Sequence, residues 1–132
     1  MASKAKSVDA GSTPFRFFDN REKYLLFVTT CSEKWEVATR IARELEHLNP
    51  AQPALKVFDA GMGDGTVLTR VMRAMHAQFP TVPFLVVGKE VSLEDVRLSV
   101  EKLPDRFHEH PQTVFVATNM FYYEAAGLMP RN

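Results

Sequence analysis

The chain has 132 residues, enough for one packed domain, with 45% hydrophobic and 24% charged residues. Sixteen Lys and Arg balance sixteen Asp and Glu at a pI near 6.9, so no global field draws the protein to nucleic acid or to an anionic membrane, and a nucleic-acid partner is not indicated, although neutrality leaves room for a local basic patch. No apolar run approaches the roughly 20 residues that span a bilayer, and the single Cys31 excludes an internal disulfide; a cytoplasmic setting without membrane contact is the expectation.

Residues 1–14 are small and polar, lack the apolar stretch of a signal peptide, and read as a disordered tail. Residues 15–50 read as a helical amino-terminal segment. Phe15, Phe17 and Phe18 precede a helix that Asp19 or Asn20 can cap, running through Arg21–Phe27 until Thr29 and Thr30 weaken it. Ser32 then caps a second helix whose apolar positions Ala38, Ile41, Ala42, Leu45 and Leu48 recur at helical spacing, and Asn49-Pro50 stops it.

Residues 51–132 alternate strand and helix. Leu55–Asp59 is a short strand, and Thr66–Phe79 a helix with the stripe Val67, Leu68, Val71, Met72 and Met75. Phe84–Gly88 is a continuous apolar run, the pattern of a strand covered on both faces. Ser92 caps a helix with Glu94 and Asp95 in its first turn and apolar Val96, Val100 and Leu103, ending near Pro104; Thr113–Ala117 is a third strand. Such alternation implies right-handed crossovers and an α/β, Rossmann-like parallel sheet of three strands with flanking helices.

Between the first strand and its helix lies Asp59-Ala60-Gly61-Met62-Gly63-Asp64-Gly65-Thr66. A glycine turn here lets a ligand approach bare backbone outside the carboxyl ends of the strands. The dinucleotide fingerprint wants glycines at offsets 0, 2 and 5. Gly61, Gly63 and Gly65 stand at 0, 2 and 4, with Thr66 in the last position, which argues against NAD.

Acid-x-Gly-x-Gly-x-Gly after an apolar strand closely resembles motif I of the class I S-adenosylmethionine-dependent methyltransferases, over about residues 55–120. The resemblance implies that S-adenosylmethionine is the cofactor. Asp59 and the loop of Gly61, Gly63 and Gly65 would hold its methionine end. Glu90, after the second strand, would accept from the ribose hydroxyls; it follows Asp59 by 31 residues, a longer gap than is usual in the family. After the third strand the family's adenine-contacting position falls on Thr118 or Asn119, of which Asn119 would accept from the adenine amino group through its carbonyl oxygen, with Met120, Phe121 or Tyr122 over the ring.

The family's catalytic sheet has seven strands, and its acceptor-binding and catalytic residues usually lie on the fourth strand and beyond. Only three strands are legible here, so the chain reads as an incomplete, amino-terminal cofactor-binding half; the substrate and catalytic residues are unknown. Without a fourth strand the first becomes an edge, where pairing with a second copy would give a homo-oligomer. The alternative to a methyltransferase is therefore a non-catalytic, methyltransferase-like interaction or dimerisation module.

Other residues carry less. Asp64 reads as a solvated loop residue. His108-Glu109-His110 lacks the further ligands a metal requires, and Cys31 reads as a small apolar packing residue. Trp35, Tyr24, Phe27 and the three early phenylalanines suit either a lid over the cofactor or simple core packing.

Overall fold

The computed structural model describes residues 21–125, and the chain divides into two compact units, Met1–Ser32 and Glu33–Asn132. Phe15, Phe17 and Phe18 lie outside the described residues. In the first unit, α1 spans Arg21–Thr30 and includes both threonines expected to break it. Thr30 is accommodated because its hydroxyl donates back to the Leu26 carbonyl at 2.6 Å, a bond that lets a poor helix former close the last turn. Cys31 is exposed rather than packed, since it falls just past the helix end.

The second unit runs α2 (Glu33–Glu44, followed by a 3-10 turn Leu45–His47), β1 (Leu55–Asp59), α3 (Thr66–Gln78), β2 (Phe84–Lys89), α4 (Leu93–Lys102), α5 (Pro104–Glu109), β3 (Thr113–Thr118) and α6 (Tyr122–Ala125). Among the described residues the sheet is parallel throughout, in the order β1-β2-β3, with β1 at an edge as expected. Ser92 caps α4 by accepting from the Asp95 N–H at 3.2 Å. Pro104 ends α4 but opens α5, where its fixed φ suits the first helical turn.

Register assigns the two faces. Leu55, Phe84 and Thr113 align, as do Val57, Val86 and Phe115, and these residues meet the helices. Leu68, Val71, Met72 and Met75 of α3 fill the core with Ala38, Leu45, Phe84, Val86 and Leu103. Phe84, Val86, Met72 and Met75 are essentially inaccessible. Of the residues expected to face inward on α2, Ala38 and Leu45 are buried while Ile41 and Leu48 remain exposed.

The apolar residues of the opposite face are exposed or half-buried. Phe58 is 64% exposed, Val114 59% and Val116 46%, with Leu85 and Val87 half-buried between them. β2 is thus covered on one face only, not on both as its apolar run suggested. The cause is topological. Both crossovers step in the same direction, so right-handedness places α3 and the α4–α5 pair on one side of the sheet. No helix among the described residues is long and apolar enough to cross a membrane.

Candidate functional site

The carboxyl ends of three parallel strands bring together the residues the sequence singled out. Asp59 ends β1, Glu90 directly follows β2, and Asn119 directly follows β3. The Glu90 N–H donates to the Thr118 carbonyl at 2.8 Å, which sets the ends of β2 and β3 side by side and leaves Asn119 exposed next to them.

The glycine loop is held by backbone rather than by bulk. Gly63 and Gly65 take positive φ of 52° and 74°, values that favour glycine. The Met62 N–H donates to the Lys89 carbonyl at 3.0 Å, and the buried Met62 sulfur lies over Gly88, occupying the space a Cβ there would fill. Gly65 serves packing: a Cβ on it would lie 3.0 Å from the Ser99 Cα in α4. Ser99, wholly buried, donates its hydroxyl to the Gly63 carbonyl at 2.7 Å. Gly61 stays exposed and donates its N–H to Asp59 Oδ1 at 3.3 Å.

Glu90 clasps this loop. Its Oε2 accepts from the Gly63 N–H at 3.0 Å, while Oε1 accepts from Val91 at 2.7 Å and Ser92 at 3.1 Å. Each carboxylate oxygen offers two acceptor positions, so one on Oε2 stays open for a further donor. Burial raises the Asp59 pKa above the ordinary carboxyl value; the Gly61 N–H opposes that rise, and the neighbouring Glu90 charge adds to it. Two carboxylates therefore share the strand ends in a setting that would welcome a cation.

Asp64 is the clearest correction. It is 7% exposed instead of solvated. Its carboxylate receives Lys34 Nζ at 2.5 Å, Lys102 Nζ at 2.6 Å and the Thr66 hydroxyl at 2.7 Å. Burial pushes its pKa up, but the hydrogen bonds from Lys102, Lys34 and Thr66 outweigh that and hold it far below the usual range. Asp64 thereby ties α2 and α4 to the start of α3. The available signal was its position two residues before the helix, where the dipole attracts an acid; Lys34, Ser99 and Lys102 are distant in sequence and gave none.

Trp35 neither joins the buried core nor lines the glycine loop. It is half exposed, with the Arg70 guanidinium 5.0 Å from its ring centroid. No group of three or more potential metal ligands occurs among the described residues. His110 instead stacks on Phe84, with ring centroids 4.2 Å apart. Neither a family model nor a curated protein matches the chain, so the methyltransferase resemblance rests on the loop residues themselves.

Proposed function

We propose that this chain binds S-adenosylmethionine and forms the cofactor-binding portion of a methyltransferase. The observation that carries the reading is the pair Asp59 and Glu90, two carboxylates on adjacent strand ends flanking a glycine loop whose Gly61 is exposed. Negative charge there suits the ammonium and sulfonium of the cofactor, and the exposed backbone at Gly61 permits close approach. The open acceptor position on Glu90 Oε2 suits a ribose hydroxyl, and the exposed Asn119 after β3 offers a side-chain carbonyl that suits an adenine amino group. The cofactor supplies an activated methyl group, and the protein contributes proximity and orientation. Calorimetric titration of the folded chain with S-adenosylmethionine and S-adenosylhomocysteine should give saturable heat, and Glu90→Gln should weaken both ligands at least tenfold. No heat at millimolar ligand, with folding confirmed by circular dichroism, overturns the reading.

A second reading, favoured by the open sheet face, is an interaction module in which a second copy covers Phe58, Val114 and Val116 and pairs along β1. A neutral chain presents no net charge repulsion to its own copy. Light scattering should then report a dimer that Phe58→Lys dissociates and Glu90→Gln leaves intact; a monomer at all concentrations excludes it.

A further inference from the structure

A groove of about 610 Å³ runs over the outer face of α3, between α2 on one side and α4 and α5 on the other. Four cations line it: Arg70, Arg73, Lys102 and Arg106, with Trp35 at one wall. No carboxylate lines it. Two of these cations are already paired: Lys102 gives all three of its ammonium donors to the Asp64 carboxylate, the Asp64 carbonyl and the Thr66 hydroxyl, while Arg106 donates from Nη1 to Glu109 at 2.8 Å and keeps its other guanidinium N–H groups. Arg73 makes no ion pair or hydrogen bond among the described residues, although it is one of only sixteen cations in a chain of zero net charge. None of Asp59, Gly61, Glu90 and Asn119 lines this groove, so it is separate from the strand-end site.

We infer that the groove binds a nucleotide, its phosphate on the Arg73 and Arg106 guanidiniums and its base on the Trp35–Arg70 stack. The guanidinium fork matches phosphate oxygens, and Arg in pairs is the usual means of holding them. A half-exposed indole beside a cation is the platform on which bases stack regardless of sequence. Arg70 covers one face of the ring, its guanidinium 5.0 Å from the centroid, so the base stacks on the outer plane of that guanidinium. The inference stands independently of the proposed cofactor site. The nucleotide can arrive free or as part of a single strand, since both present the same phosphate and base.

Trp35 is the only tryptophan, so its fluorescence reports on this groove alone. The full chain is titrated with adenosine monophosphate and with inorganic pyrophosphate, exciting Trp35 at its red edge, and a fluorescein-labelled ten-nucleotide single strand is followed by anisotropy. Adenosine monophosphate should quench saturably, and Arg73→Glu and Arg73→Gln should weaken it at least tenfold and threefold respectively. Arg73 is exposed, so both variants should keep the wild-type dichroism. Trp35→Ala should weaken the strand at least fivefold, the lower end of one lost base stack. Tighter binding of the strand identifies nucleic acid as the source, with an affinity that falls roughly 7–20-fold between 50 and 200 mM salt for two or three phosphates neutralised. Tighter binding of the monophosphate identifies a free nucleotide. Absence of any response at 10 mM nucleotide and 50 μM strand overturns the inference, as does binding untouched by both Arg73 variants. Pyrophosphate matching the monophosphate, with Trp35→Ala silent, overturns the assignment of the base.

Discussion

Removing the Asp64 carboxylate should loosen the whole loop-bearing end of the second unit. In Asp64→Ala, Thr66 loses the acceptor for its N–H and hydroxyl at the start of α3, a cap whose removal costs about 1 kcal/mol. The two lysines lose a partner that is itself 9% exposed, but their own side chains are 23% and 40% exposed and can turn to water. Each pair is therefore closer to a surface ion pair than to a buried one and contributes about 0.5–1 kcal/mol. The sum is about 2–3 kcal/mol, or roughly 10–20 °C in the melting temperature of a unit this size. Urea unfolding followed by far-ultraviolet dichroism measures it at pH 7. The same experiment at pH 3 tests the cause. A carboxyl held below its ordinary 3.8 stabilises fully above that value and loses its contribution as pH falls toward the folded pKa. At pH 3 the unfolded chain already binds most of this proton, so the gap between wild type and variant should narrow by about 1 kcal/mol. A pH 7 difference under about 0.5 kcal/mol, or a gap that stays constant on acidification, would refute the assignment of Asp64 as a charged tie.

Gly65→Ala should cost about 2–4 kcal/mol in the same assay, combining a left-handed backbone with a Cβ 3.0 Å from the α4 backbone; Gly61→Ala, at an exposed position without positive φ, should cost far less. His76 is held below its usual 6.5 by burial, against the opposing hydrogen bond that its Nδ1 makes to the Glu109 carboxylate, with the His110 and Arg106 charges adding to the fall. Its neutral form is the folded form, so stability should decline as pH drops below 6.5, and His76→Gln should flatten the urea midpoint between pH 7.5 and 5.5. Asp59→Asn should raise the urea midpoint at pH 7, because burial penalises the charged carboxylate it removes, while weakening S-adenosylmethionine in calorimetry; a variant that loses stability and binds normally contradicts both halves.

The three strands, α3 and α4 were legible because periodicity and punctuation agreed, whereas α5 and α6, helices of six and four residues, are too short to show a period. β1 begins and ends where the alternation and the glycine loop place it, and Ser92 opens α4 by the side-chain bond its position implied. The glycine loop and the strand-end positions of Asp59, Glu90 and Asn119 were legible for the same reason: a parallel sheet carries whatever follows each strand to one edge. What was not legible depends on distance in sequence. Asp64 looks like any polar loop residue until Lys34 and Lys102, 30 and 38 positions away, arrive at its carboxylate. Val100 was expected inside α4, yet Ser99 is the buried residue, since a carbonyl of the glycine loop approaches there and needs a donor. The apolar run of β2 implied two covered faces because the run reports hydrophobicity and not the direction in which the chain steps. Four cations of a neutral chain meet in one groove only once α3, α4 and α5 pack together.

The three acids around the loop answer different demands, and the contrast bears on function. Asp64 is repaid in full where it stands, by two lysines and a threonine, and its proton affinity falls accordingly. Glu90 accepts three backbone N–H groups and so helps to shape the loop it touches. Asp59 receives one long bond from Gly61, sits partly buried beside another carboxylate, and has its proton affinity raised. Folding alone gives no reason to keep a carboxylate in that position, since an asparagine would make the Gly61 bond without the charge penalty. A group that costs stability locally beside the exposed Gly61 would be compensated by a ligand of positive charge. That contrast is the basis for proposing a sulfonium and ammonium cofactor, and not a phosphate, at the strand ends, and a phosphate at the basic groove on α3.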